Sequence, residues 1–155
     1  MKQAINTNMG SVSTATMRPE DLIPEFISEV RRQRRPVKGH RAAALDIERR
    51  SRKAGYFRTE DADHDLDQLF DMLDAYAPPY FYFGSHPGDG ADYGYWLSDS
   101  FEDDFDGLKV SDLSEVPADY AGEVLVVNDH GNMTLYLQRT RKRGAAVLAE
   151  IWGIV

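Results

Sequence analysis

Cysteine is absent from the 155 residues, which excludes disulfides, thiolate zinc sites and cysteine nucleophiles and gives no reason to expect an oxidising compartment. Long apolar runs are missing too: none approaches the ~18 residues of a membrane span, and the amino-terminal stretch has no apolar signal core. An intracellular, soluble protein with no membrane partner is expected. The most informative shortage is of cations in the middle of the chain. Residues 59–137 hold one basic residue, Lys109, against 19 Asp and Glu. Residues 1–58 hold 13 basic against 6 acidic residues, and residues 138–155 hold 4 against 1, so charges of +7, −18 and +3 make up the net −8. An acidic block of that size must be answered by the chain's own basic ends, by bound cations or by a basic partner.

What is present is ordinary for a globular protein. A hydrophobic fraction of 42% and an aromatic fraction of 11% lie well away from disordered compositions, and this length buries roughly two thirds of the unfolded chain's surface. A single domain over 1–155 is expected, helical over about 18–77 and sheet over about 80–155. The stretch 4–17 reads as an extended segment or edge strand. Pro19, Glu20 and Asp21 suit a helix start, with Leu22, Ile23, Phe26, Ile27 and Val30 on one face and Pro24 as a kink or restart. A second helix over about 40–54, ended by Gly55, shows basic residues to solvent. A third over about 62–76 places Leu66, Leu69, Phe70, Leu73 and Ala77 on one face, with Asp67, Asp71 and Asp74 stacked on a flank. Pro78 and Pro79 stop it.

From Tyr80 the period changes to two. Strands are expected at 80–83 and 93–97 around a glycine-rich loop, at 123–128 and 133–138 around the turn Asp129-His130-Gly131, and over 145–155. The acidic segment 99–106 reads as a loop or short helix. Helices first and antiparallel strands afterwards indicate an α+β fold, with about three helices covering one face of a sheet of four to five strands.

Candidate sites compete with plainer readings. The segment 83–96 has four glycines beside His86, Asp89 and Asp92, as a ligand loop or a long hairpin connection would. It has neither the spacing nor the lysine of a phosphate loop, and Ser85 is not in a nucleophile elbow. Should this loop meet the turn at Asp129 and His130, the five side chains would offer nitrogen and oxygen ligands for a divalent cation able to activate water, the basis of a small metal-dependent hydrolase. Glu102, Asp104, Asp106 and Gly107 echo a calcium loop, but Leu113 stands where its closing glutamate belongs. The aromatics Tyr76, Tyr80, Phe81, Tyr82, Phe83, Tyr93, Tyr95 and Trp96 lie in the most acidic third, which suits core or interface better than base stacking. The basic stretch 31–58 reads as a solvated helix face that partly balances the acidic block, and direct nucleic-acid binding is not expected.

Arg18-Pro19-Glu20-Asp21-Leu22-Ile23-Pro24, Ala77-Pro78-Pro79, the Gly84 to Trp96 loop, the run from Val110 to Pro117 and the run from Val127 to Asn132 resemble a family of small acidic proteins encoded by phages, plasmids and integrated mobile elements. The resemblance covers most of the chain. It implies a bacterial cytoplasmic setting of conflict between element and host, and carries over no catalytic residue. The leading expectation is a non-enzymatic protein without a cofactor. It binds a basic host protein through Asp67, Asp71, Asp74, Glu102, Asp103, Asp104 and Asp106, as a nucleic-acid mimic of the anti-CRISPR or anti-restriction type would. A third reading is a charge-driven homodimer in which the basic ends of one copy dock on the acidic middle of another.

Overall fold

A computed structural model describes residues 8–155, so the amino-terminal part of the extended segment expected over 4–17 lies outside the described residues. The α+β class holds. The strands number seven among the described residues and form two sheets, where a single sheet of four to five was expected. The chain divides into compact units at Asn8–Ser98 and from Asp99 onward, not at the change from helical to sheet-forming sequence.

The unit Asn8–Ser98 carries β1 (Gly10–Ser13), α1 (Pro19–Arg32), α2 (His40–Ser51), a 3₁₀ turn (Tyr56–Arg58), α3 (Glu60–Asp74), β2 (Phe81–His86) and β3 (Asp89–Leu97). Helix α1 starts with Pro19 in its first turn and has Glu20 and Asp21 at its positive end and Arg31 and Arg32 at its negative end. It continues through Pro24. An interior proline costs about 3 kcal/mol, whereas burying each of Leu22, Ile23, Phe26, Ile27 and Val30 contributes roughly 1.5–3 kcal/mol, so packing decides. Helix α2 buries only Ala44 and Ile47, leaving its arginines outside as the sequence indicates. One of them, Arg41, caps α1: its Nη2 donates to the carbonyls of Arg31 at 3.2 Å and Gln33 at 2.8 Å, which the helix end leaves unsatisfied.

The three helices pack with the sheet ordered β1-β3-β2, all antiparallel. Phe26 is its aromatic hub, edge-on to Phe70 at 5.0 Å, Phe83 at 5.1 Å and Tyr93 at 6.0 Å between centroids. The expected glycine-rich loop is mostly strand. Phe81 to Ser85 pair with Leu97 back to Tyr93, and the connection shrinks to Pro87 and Gly88. The glycine at 94 serves sheet packing: a Cβ there would stand 2.1 Å from the Gly10 carbonyl oxygen on the crossing β1.

The second unit carries α4 (Phe101–Asp104), β4 (Leu108–Val110), a 3₁₀ turn (Leu113–Glu115), β5 (Gly122–Val127), β6 (Met133–Arg139) and β7 (Val147–Ile154). Its sheet runs β4-β5-β6-β7, with β4 parallel to β5 and the rest antiparallel. Asn128 shapes the β5–β6 turn, its Oδ1 accepting from the amides of His130 and Asn132 at 3.0 Å, while Gly131 takes φ 79°. Trp152, fully buried on β7, pairs with Leu135 and meets the Phe101 ring at 5.7 Å. Replacing Trp152 with alanine is expected to cost about 3–5 kcal/mol of stability, read by urea unfolding followed through tyrosine fluorescence.

Candidate functional site

Helix α3 carries the strongest concentration of exposed charge on a single element. Its apolar side presents Ala62, Leu69, Met72 and Leu73 to the core. On the opposite side, Glu60, Asp63, Asp67, Asp71 and Asp74 fall within an arc of about 80° at 100° per residue. All five are exposed. They run the length of the helix, about 21 Å at 1.5 Å per residue. None forms an ion pair with a described residue. Asp74 has a partial structural duty, its Oδ1 accepting from the Phe83 amide at 2.9 Å. Asp67, Asp71 and Asp74 were expected to share a flank. Glu60 and Asp63 extend that stripe by more than a turn; Asp63 lies within the helix expected over about 62–76, whereas a start placed at Ala62 hides Glu60. Thr59 followed by Glu60 and Asp61 is the available signal: a residue favoured at N-caps ahead of an acidic first turn.

Part of the basic stretch is spent on its own neighbourhood, while Arg34, Arg35, Lys38, Lys53 and Arg58 are in no ion pair with a described residue. Arg31 and Arg52 pair with Glu48, Arg49 with Asp46, and Arg32 with Glu29. Among the described residues, Arg50 alone forms an ion pair with the acidic block, and it takes Asp65, on the buried side of α3. Arg50 donates from Nε to Oδ2 at 3.0 Å and from Nη2 to Oδ1 at 2.6 Å, and the Tyr56 hydroxyl donates to Oδ2 at 2.7 Å. Burial alone would raise the Asp65 pKa; the Arg50 and Tyr56 hydrogen bonds outweigh it and hold the carboxyl below its ordinary value. A carboxyl depressed on folding stabilises the fold above its unfolded pKa, and that contribution disappears as pH falls through the folded value. Asp65→Asn is therefore expected to cost roughly 1–3 kcal/mol near neutral pH and to flatten the loss of stability on acidification, as urea titrations at stepped pH would read.

In the second unit, Glu102, Asp103, Asp104 and Asp106 are exposed on α4 and the residues after it, and none is in an ion pair with a described residue. Asp104 accepts from the Ser100 hydroxyl at 2.6 Å. Asp112 and Glu115 are turned inward on their own 3₁₀ turn by a capping box. The Ser114 hydroxyl and amide hold the Asp112 pKa down, and the Ser111 hydroxyl does so for Glu115.

Of the residues offered for a metal, His86 and Asp89 have local employment, whereas the buried Oδ1 of Asp92 has no hydrogen-bond partner among the described residues. His86 Nδ1 accepts from the Gly88 amide at 2.9 Å, and the ring stands edge-on to Trp96 at 4.7 Å. Asp89 Oδ1 accepts from the Ala91 amide at 3.0 Å. Asp92 is half-buried on β3, whereas Asp129 and His130 sit at the exposed β5–β6 turn of the other unit. Among the described residues, no three His, Asp or Glu side chains are grouped to hold a metal ion. Most of the aromatics become core: Tyr76, Phe83 and Tyr95 are buried, and Phe81 and Tyr93 pack against the same cluster, while Tyr80, Tyr82 and Trp96 are half-buried outside it.

Sequence reasoning missed a second polar centre, beneath α1. Glu29 is 6% exposed and takes the Tyr95 hydroxyl at 3.0 Å, Gln33 Nε2 at 3.1 Å and the two-pronged Arg32 guanidinium. Burial first, then the Glu29 carboxylate, push the Tyr95 hydroxyl well above the usual phenol range, so it stays a proton donor. A glutamate inside an apolar helical pattern, with arginine three residues on, was the available signal.

Comparison with known proteins finds no matching family model, no similar curated protein and no similar solved structure. Among the described residues no helix is long and apolar enough to cross a membrane.

Proposed function

We propose that this chain is a non-enzymatic binding protein that offers the acidic stripe of α3 to a basic, phosphate-binding site on a host protein. The observation that carries the reading is the absence of any described cation opposite Glu60, Asp63, Asp67, Asp71 and Asp74, although α2 of the same unit is rich in arginine. Like charges three and four residues apart repel by a few tenths of a kcal/mol per pair, and carboxylates near a helix C-terminus oppose its dipole. Glu60 and Asp63 are favoured by the dipole at the helix start, but a helix built only for packing gains nothing from Asp67 and Asp71. Spaced over about 21 Å, the carboxylates come about every 5 Å, a line of negative charge sparser than the 3.4 Å charge spacing of one DNA strand. Glu102, Asp103, Asp104 and Asp106 are proposed as contact residues of the second unit.

The setting we propose is that of a mobile-element accessory protein in the bacterial cytoplasm, acting on a nucleic-acid-binding defence complex. To test the reading, the immobilised protein is presented with nuclease-treated bacterial lysate at low salt, beside an Asp67→Lys, Asp71→Lys variant. Basic nucleic-acid-binding proteins should be retained by the parent chain, released as salt approaches the concentration that screens charges beyond about 3 Å, and lost from the variant. Equal retention by both proteins would overturn it.

A further inference from the structure

The unit Asn8–Ser98 contains a groove of about 490 Å³ that the acidic stripe does not use. One wall is β1, through Ser11 and Val12, with Met9 just before it. The other is a flank of α1, where Glu25, Ser28, Glu29 and Arg32 recur at i, i+3, i+4 and i+7. Tyr95 also lines it.

Three features of this groove agree on what it fits. In the order β1-β3-β2, β1 is an outermost strand, so its far edge keeps backbone donors and acceptors that no described strand uses. Between Glu25 and Arg32, α1 advances about 10 Å, which is close to three residues of extended chain at ~3.3 Å each. The polar floor is already satisfied: Glu29 is held by Arg32, Gln33 and Tyr95, so it lines the groove without demanding a counter-charge. Glu25, by contrast, is exposed and in no ion pair with a described residue. A helix flank facing a strand edge is the arrangement in which a peptide adds as a further strand, its backbone bonding the edge and its side chains addressing the helix.

We propose that an extended peptide segment carrying a lysine or arginine adds to the outer edge of β1 in this groove, with the basic side chain against Glu25. The site stands apart from the α3 stripe, so either can fail without the other.

The test uses the full chain, ¹⁵N-labelled, titrated with the blocked pentapeptide Thr-Val-Lys-Val-Thr. Saturable amide shifts are expected on β1 and the α1 flank, and not on α3. Replacing the central lysine by glutamate should weaken binding about fivefold, the worth of a roughly 1 kcal/mol exposed ion pair. Glu25→Lys should reverse that preference; Glu25 is exposed, so the fold is retained. N-methylation of the peptide backbone at alternate residues should abolish binding in one of the two registers. Absence of saturable shifts on β1 with millimolar lysine peptide would overturn the proposal. So would equal binding of N-acetyl-lysine methylamide, which would make the groove a site for a small cation.

Discussion

Changing Asp67 and Asp71 together to lysine is expected to make the isolated protein more stable while removing its capacity to bind. In the parent helix each of these carboxylates faces another of its own sign three or four residues away, without a described cation opposite. After the change, the first new ammonium group follows Asp63 by four residues and the second lies one turn before the end of α3, so ion-pair order with Asp63 and the helix dipole turn favourable, while the two lysines, four residues apart, keep the one repulsion that Asp67 and Asp71 had. Thermal and urea unfolding should show a gain of about 0.5–1.5 kcal/mol. Binding to the basic partner should fall by more than about tenfold, since two attractive contacts become repulsive ones. A structural purpose for the stripe requires the opposite sign for the stability change.

The second large effect concerns packing. Gly94→Ala places a methyl group 2.1 Å from the Gly10 carbonyl oxygen and 2.9 Å from the Ser11 Cα, both backbone atoms. Neither can rotate aside, so β1 must leave β3 or the central strand must shift. A loss at or above the usual ~1–3 kcal/mol for overpacking is expected, with amide exchange accelerated first in β1. Gly90→Ala, on the same strand but with nothing within 4 Å of its Cβ, is the control and should be near neutral. Equal loss in both variants would mean that chain stiffness, not the close crossing of β1, sets the requirement.

Helix content was legible because apolar spacing at 3.6 residues is long-range within a single element: α1 and α3 follow from Leu22 to Val30 and from Leu66 to Leu73. Hairpin β5–β6 was legible for a similar reason, since turn chemistry at Asn128 to Gly131 sits between two alternating runs. Strand partnership was not. Tyr95 opposite Gly10 joins residues far apart in the chain, and nothing local assigns β1, β2 and β3 to a sheet separate from β4 to β7. β4 escaped notice because three residues cannot display a period. The glycines of 84–94 suggested a loop, yet Gly84 and Gly94 lie in paired strand, and at Gly94 the absence of a side chain lets the β1 backbone come close. The charge pattern was legible as a total and not as an allocation. Sequence could count carboxylates; it could not show that Asp65 is consumed by Arg50 and Tyr56 while Asp67 and Asp71, a few residues on, face solvent.

The central claim is that the carboxylates of α3 occupy a site made for phosphates, and displacement by nucleic acid addresses it most directly. A partner retained from lysate is titrated, while bound to this protein, with short duplex DNA at constant ionic strength. The account requires the DNA to release the protein competitively, with a release midpoint that rises in proportion to the protein's own concentration. Formation of a stable ternary complex of partner, DNA and this chain would contradict it.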